Sequence, residues 1–379
     1  MPFHALETPV PLVDLDRLER NLDRAAAYAR EHGLALRPHV KTHKAPAVAA
    51  EQLRRGAVGL TCATPFEAEV MSAVCKDLLI AYPPVAAPRA RRIAALPRDL
   101  NVTVALDSMA ALDELHAAAR AAGRPIGVLV ELDLGMRRVG IGDVAEAVEL
   151  ARAVLERPPI EWKGIAFYPG HIREGVDAQD AALEELDHAL SLALAVFRTA
   201  GLDPAVVSGG STPTLWRTHE LHGVTEFRPG TYVYNDRTTA AIGACTLQDC
   251  ALTVLATVVS TAVPGQAVID AGSKALGREP MRGADGEGYG VLLEHPGVVV
   301  KAMSEEHGIL DLAGTAWRPD VGDLVRVIPN HACIVTHLHD LVYGVRAYTI
   351  ETSWPISARG RGIAPPPPDP NHSGASVSR

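Results

Sequence analysis

The sequence predicts an α/β fold: a (β/α)8 barrel followed by a mostly β domain. Three observations predict it. Short apolar runs alternate with longer alanine-rich amphipathic stretches over the first two-thirds of the chain. The texture then changes near Thr239 to β-branched runs with glycines between them and no long helices. The length, 379 residues with 47% hydrophobic side chains, supplies ample core for one large barrel or for two domains.

The apolar runs cover residues 34–39, 57–63, 77–82, 101–106, 126–132, 160–167, 205–208 and 224–227. Between them lie helical patterns such as LVDLDRLERNLDRAAAYAREHG, where Leu15, Leu18, Asn21, Leu22 and Ala25 share a face and Gly33 marks the stop. Strands alternating with helices at this spacing read as parallel βα units. Eight of them close a barrel whose reacting groups belong at the C-terminal ends of the strands; a doubly wound open sheet is the alternative. Beyond the barrel, residues 14–238, the runs ALTVLATVVS, QAVIDAG, GVVVKAM, LVRVIPNHACIV and DLVYGVRAYTI read as strands of a β domain. That domain comprises residues 1–13 and 239–358, with the N-terminal Pro9 to Val13 as a pairing partner. The proline- and serine-rich residues 359–379 read as a disordered tail.

Composition excludes several classes. The net charge of −9, from 36 basic and 45 acidic residues, leaves no basic excess for nucleic acid. A charged fraction of 21% among plentiful aliphatics argues against disorder, and no apolar run approaches the roughly 20 residues that span a bilayer. The N-terminus lacks a basic segment before an apolar stretch, so no signal peptide is expected. The five cysteines are odd in number and scattered, unlike a disulfide framework. A cytoplasmic enzyme with a small-molecule substrate is the expectation, with no nucleic-acid or membrane partner.

Three motifs could carry chemistry. RPHVKTHK places Lys41 just past the first barrel strand, where a lysine shielded by apolar walls can form an imine with a carbonyl; the alternative is a basic surface loop. SGGSTPT follows the seventh barrel strand, and its small residues, N–H groups and hydroxyls at the start of a helix suit a phosphate; the alternative is an ordinary capped turn. PNHAC, read as a strand, puts His331 and Cys333 on one side, a pair that suits Zn2+ better than Mg2+. The alternative there is a half-buried cysteine in a core strand, and His337 and His339 are rival ligands. Weaker signals are Arg137 and Arg138 after the fifth strand, Tyr168 and His171 after the sixth, and Glu306-His307-Gly308, which reads as a turn. The glycines of GADGEGYG follow no strand and open no helix, so they form no dinucleotide fingerprint.

Taken together, TPVPLVDLDRLERN, RPHVKTHK, GAVGLTCAT, GMRRVG, SGGSTPT, RPGTYVYND, SEEHG and PNHAC resemble, in order, the fold-type III pyridoxal-phosphate lyases typified by D-threonine aldolase and D-serine dehydratase, relatives of alanine racemase. The resemblance runs from about Thr8 to Gly360. It implies that Lys41 holds pyridoxal 5'-phosphate and then acts as base at Cα. It puts Arg138 at the phenolic oxygen, Tyr168 near the ring, and Gly210, Ser211 and Thr212 on the phosphate, with Gly230 and Tyr234 on the other flank. It further implies that His331 and Cys333 bind a divalent metal, Zn2+ favoured over Mn2+ or Mg2+. The family is dimeric, which implies a homodimer with the site at the subunit interface.

The resemblance leaves two outcomes for a β-hydroxy-D-amino acid. β-Elimination, as in D-serine dehydratase, gives a 2-oxo acid and ammonia. Retro-aldol cleavage, as in D-threonine aldolase, gives glycine and an aldehyde, with His171 as the candidate base. The dehydratases carry His-x-Cys at the metal site and the aldolases His-x-Asp, so Cys333 favours elimination. TSWPISARGRG is close to aldolase-type members, whereas FYPGHIRE departs from their pattern. A racemase, a non-catalytic pyridoxal-phosphate carrier and a zinc hydrolase without pyridoxal phosphate are the other classes.

Overall fold

The computed structural model describes residues 2–281, 287–360 and 362. The barrel strands follow a short N-terminal strand β1 (Val10–Asp14): β2 (Ala35–Leu36), β3 (Leu60–Cys62), β4 (Asp77–Ile80), β5 (Asn101–Leu106), β6 (Ile126–Leu132), β7 (Ile160–Phe167), β8 (Val206–Gly209) and β9 (Glu226–Phe227). All eight are parallel, in the order β2-β9-β8-β7-β6-β5-β4-β3. The two outer edges meet through a parallel bridge between His39 and Thr61, where the Thr61 N–H donates to the Pro38 carbonyl. The sheet therefore curls into a barrel, not a doubly wound open sheet.

Alternation within the strands explains the layering. Leu79, Ala105, Leu129 and Ala166 pack together inside the barrel. Their neighbours Leu78, Ile80, Val104, Val128, Val130 and Ile165 pack outward against the surrounding helices. Because both faces are covered, every residue of β6 is buried.

The second layer is a nine-stranded sheet. It holds β10 (Leu252–Ser260), β11 (Gln266–Ile269), β12 (Gly290–Leu292), β13 (Val300–Met303), β14 (Gly308–Asp311), β15 (Leu324–Pro329), β16 (Leu341–Arg346) and β17 (Thr349–Pro355). β1 is the ninth strand, antiparallel to β10 and parallel to β16, so the start of the chain is stitched into this sheet. The first helix, Leu15–Glu31, begins at an Asp14 cap that accepts from the Arg17 N–H and buries Leu18, Leu22 and Ala25. Its Asn21 amide donates to the carbonyls of Val233 and Asp249, clamping the loop that leads out of the barrel. Glu306-His307 forms the turn between β13 and β14.

One element departs from the sequence expectation. The run LVRVIPNHACIV is not a continuous strand: β15 ends at Pro329, and a helix, Ala332–Leu338, begins after His331. His331 and Cys333 are thus a cap residue and a first-turn residue rather than alternate positions on a strand. Of the tail, residues 361 and 363–379 lie outside the described residues, as do residues 283–286 of GADGEGYG.

Candidate active site

A cavity of about 730 Å3 opens at the C-terminal ends of the barrel strands and reaches the second sheet. Its walls include Lys41, Arg138, Tyr168, Gly210, Ser211, Thr212, Gly230, His331 and Cys333. Chain segments more than 290 residues apart meet there.

The RPHVKTHK segment sorts its basic groups strictly. Arg37 is paired with Glu226 at 2.6 Å and with Asp77. Lys44 is buried against Glu67. His43 is fully buried, with Nε2 on Gln52 at 3.2 Å and Nδ1 at 3.2 Å from the Ala45 N–H. His39 lines the cavity, and burial with Lys41, Arg228 and Lys44 nearby pushes its pKa well down, which keeps the ring neutral. Lys41, on the short turn Val40–Thr42, forms no ion pair among the described residues; its Nζ lies 5.7 Å from the centre of the Tyr168 ring. The loop is therefore a built site rather than a solvated patch.

Arg138 lies with its guanidinium 5.0 Å from the same ring. The loop after β6 folds back on itself through the Ile141 N–H on the Glu131 carbonyl and the Asp133 N–H on the Ile141 carbonyl, and so carries Arg138 to the mouth. Arg137, the other half of the pair, is not among the cavity-lining residues.

The SGGSTPT turn follows β8. Gly210 has φ +83°, a left-handed conformation that favours glycine. The backbone N–H groups of Gly210, Ser211, Gly230 and Thr231 make no hydrogen bond among the described residues. A Cβ on Gly230 would come within 2.9 Å of the Thr42 hydroxyl and 3.1 Å of the His39 carbonyl, so glycine lets this loop close on the Lys41 turn. Downstream the chain forms a 3-10 helix, Leu215–Glu220, instead of the expected α-helix start. An anion bound here would meet loop N–H groups and not a helix terminus.

His331 and Cys333 face Lys41 from the second sheet. The His331 Nδ1–H donates to Asp236 at 3.0 Å, which orients the ring, and the Ala332 N–H donates to the same carboxylate oxygen at 3.1 Å. Burial alone would raise the Cys333 thiol, but His331, Lys41 and the Thr42 hydroxyl outweigh it and bring its pKa down to about 7. Thiolate character at neutral pH is what a metal ligand needs. Among the described residues no group of three His, Cys, Asp or Glu is arranged around a metal. A cation held here would have two protein ligands and open positions. His339 is engaged elsewhere, at 3.0 Å from the Ala275 carbonyl.

Two expected residues are not brought to the cavity. Tyr234 is fully buried in the core between the first helix and the second sheet, its hydroxyl beside Trp354, because the turn Thr231–Val233 directs it inward. His171 packs beneath Gly135, and its buried Nδ1 has no hydrogen-bond partner. Conversely, three residues that were not singled out from the sequence matter. Arg228 is buried, donates Nη2 to the Phe167 carbonyl at 2.7 Å and leaves Nη1 without a partner at the cavity wall. Glu131 lines the cavity, its pKa raised by burial. Asp236 joins the barrel exit loop to the His331–Cys333 turn. A lone acid inside the apolar strand IGVLVEL was a readable signal for Glu131.

A lysine at a barrel mouth, a cradle of free N–H groups and an orphaned buried guanidinium fit an enzyme that takes an anionic carbonyl cofactor. Comparison with known proteins agrees. The model for the alanine racemase N-terminal domain matches residues 13–238, and that for a putative serine dehydratase domain matches residues 251–345. D-threo-3-hydroxyaspartate dehydratase of Delftia sp. (strain HT23) is 37% identical over 351 residues, 86% of this chain and 91% of that one. The crystal structure of D-threonine aldolase from Filomicrobium marinum superposes with a TM-score of 0.88 at 32% identity, covering 96% of this chain and 98% of that one. Two solved structures of D-threo-3-hydroxyaspartate dehydratase, at 33% identity and TM-scores of 0.85 and 0.84, are a histidine-to-alanine mutant and a cysteine-to-alanine mutant two positions apart, the latter in a metal-free form; they cover 94% of this chain and 96% and 98% of theirs. The chain belongs to this family, the fold-type III pyridoxal-phosphate lyases with an alanine racemase-like barrel. Among the described residues no helix is long and apolar enough to cross a membrane.

Proposed function

We propose that this lyase acts on β-hydroxy-D-amino acids by β-elimination, releasing a 2-oxo acid and ammonia, with His331 and Cys333 holding a divalent metal, Zn2+ favoured over Mn2+ or Mg2+. The observation that carries the choice is that Lys41, the base elimination needs, faces the His331–Cys333 pair across the cavity, while His171, the candidate base for aldol cleavage, lies outside its lining. The histidine and cysteine mutated two positions apart in the dehydratase structures support the same pair as the metal site.

When bound, pyridoxal phosphate supplies a sink for the electron pair left at Cα and the divalent cation a Lewis acid for the departing β-oxygen. The chain's own residues do the rest. Lys41 would hold the cofactor through its aldehyde, and its Nζ is placed to take the Cα proton. Gly210, Ser211, Thr212 and Gly230 would hold the phosphate with loop N–H groups and hydroxyls, and Arg228, through its free Nη1, and Arg138 would hold the rest of the cofactor by charge and hydrogen bonding. Tyr168 lies beneath both cations and orients them. Asp236 holds His331 Nδ1, which would leave Nε2 for the metal.

We further propose a homodimer whose partner covers the mouth, where Tyr82 and Val85 are 45% and 48% exposed beside the cavity. The five free thiols suit a reducing cytoplasm.

The test loads purified protein with pyridoxal phosphate and Zn2+ or Mn2+, then supplies D-serine, D-threonine and D-threo-3-hydroxyaspartate with and without EDTA. Oxo acid plus ammonia, lost on chelation, is expected. Glycine plus aldehyde would replace this reading with the aldolase one, which the likeness to D-threonine aldolase favours. A protein that takes up no cofactor would overturn both.

A further inference from the structure

The cavity holds more positive charge than the chemistry above uses. Five cationic side chains line it against two acids, Glu131 and Asp236. Asp236 is occupied by His331, Ala332 and Thr239. Lys41, Arg138 and Arg228 have roles toward the cofactor, whose phosphate is served by loop N–H groups. That leaves Arg89 and Arg173, neither of which forms an ion pair among the described residues. A substrate with a single carboxylate needs one of them.

The two differ in freedom. Arg89 is stacked at 4.7 Å on the Tyr82 ring, and its Nη1 reaches toward the Val85 carbonyl at 3.4 Å. Arg173 is anchored through Nε alone, which donates to the Gly170 carbonyl at 2.7 Å. An arginine tethered by Nε keeps both Nη groups for a planar, bidentate partner, the geometry of carboxylate recognition. The anchor also fixes its place: Arg173 leaves the same loop as Tyr168, and a Cβ on the intervening Gly170 would lie 2.1 Å from the Tyr168 ring, so the loop is folded tightly on that side chain. Arg173 thus stands next to the ring over which Lys41 and Arg138 meet.

We propose that Arg173 receives a second carboxylate, and that the preferred substrates are β-hydroxy-D-amino acids carrying an anionic group on Cβ, the 3-hydroxy-D-aspartate class, rather than D-serine or D-threonine. This rests on the lyase reading of the same site, and its test is kept separate from turnover. The pyridoxal-phosphate- and metal-loaded protein is titrated with D-aspartate and with D-alanine, neither of which has a β-hydroxyl, following the visible absorbance of the cofactor. D-Aspartate should bind on the order of ten- to a hundredfold more tightly than D-alanine, the value of one charge-assisted pair. In Arg173→Gln that ratio should collapse toward one, and Arg173→Lys, which keeps the charge without the fork, should fall between. Equal affinities in the wild-type protein, or a D-aspartate preference that survives in Arg173→Gln, would overturn the proposal. Turnover of D-threo-3-hydroxyaspartate, measured alongside, separates the two readings. A protein that prefers D-aspartate through Arg173 yet turns over no β-hydroxy acid sinks the lyase reading and keeps the dianion site. An active lyase without the preference does the reverse.

Discussion

The Lys41 turn and the His331–Cys333 turn face each other across one cavity, yet they are built in opposite ways. Lys41 is placed by local rules: a barrel strand ends, and three of the five basic-type side chains of RPHVKTHK are used up by Glu226, Asp77, Glu67 and buried hydrogen bonds, leaving Lys41 and a neutral His39 at the cavity. His331 and Cys333 are placed by a distant group. The Asp236 carboxylate, 95 residues away in sequence, takes both the imidazole N–H and the Ala332 N–H and turns the chain out of β15 into a helix. Thr336 then ties that helix to the Thr42 carbonyl at 2.7 Å, so the helix that follows His331 is fastened to the lysine turn itself. A reactive group can be read from its own neighbourhood when competition for partners is local, and is hidden when its geometry is set from afar.

Removing one side of the cavity at a time should break the comparison most sharply. Lys41→Ala should abolish the visible absorbance of the loaded protein and lower turnover roughly a thousandfold or more, since both attachment and Cα proton transfer are lost. Cys333→Ala should keep that absorbance, lose the bound metal on dialysis, and lower turnover roughly a hundredfold or more. Absorbance and metal content measured on the same samples decide it: if Cys333→Ala retains its metal, the pair is not the ligand set.

Asp236 offers a finer cut. Asp236→Asn puts an NH2 group against either the Thr239 N–H or the His331 and Ala332 N–H groups, all of which donate to the native carboxylate. Metal affinity should weaken about ten- to a hundredfold, as for other residues that orient a ligand, with cofactor absorbance preserved. Metal titration of the cofactor-loaded variant checks this; unchanged affinity would show that the His331 ring is held by packing alone.

The same contrast explains what the sequence disclosed. Barrel strands buried on both faces leave near-continuous apolar runs, so β5, β6 and β7 are legible to the residue. The helix at 332–338 is not, because Ile334 and Val335 are good strand formers and the deciding contacts, to Asp236 and Thr42, are far away in sequence. Arg228 lies in the RPGTYVYND run, but only the β9 end and the Phe167 carbonyl turn its guanidinium inward. Tyr234, six residues on, reads as an equally good site residue and packs into the core. The bend Thr231–Val233 separates their fates, and no periodicity reports it.

The floor beneath Lys41 is tested through stability rather than through the site. His43 is fully buried, its Nε2–H donates to Gln52, and the Gln52 amide donates to the Tyr232 hydroxyl at 3.0 Å. Burial holds its pKa down at about 4, against an ordinary value of 6.5. The unfolded chain therefore binds a proton that the folded chain refuses between those two values, and stability must fall as pH drops from 6.5 towards 4. The full loss is about 3 kcal/mol at 1.36 kcal/mol per pH unit, complete only below pH 4. His39, displaced in the same direction, adds to the slope, while Glu131, whose pKa is raised, opposes it. Urea unfolding midpoints at pH 7.5, 6 and 5 should decline in that order, and His43→Gln should flatten the decline while lowering the pH 7.5 midpoint. The same decline in wild type and His43→Gln would mean that water reaches the ring. The rigid platform under the lysine turn, inferred from the buried chain His43–Gln52–Tyr232, would then be open.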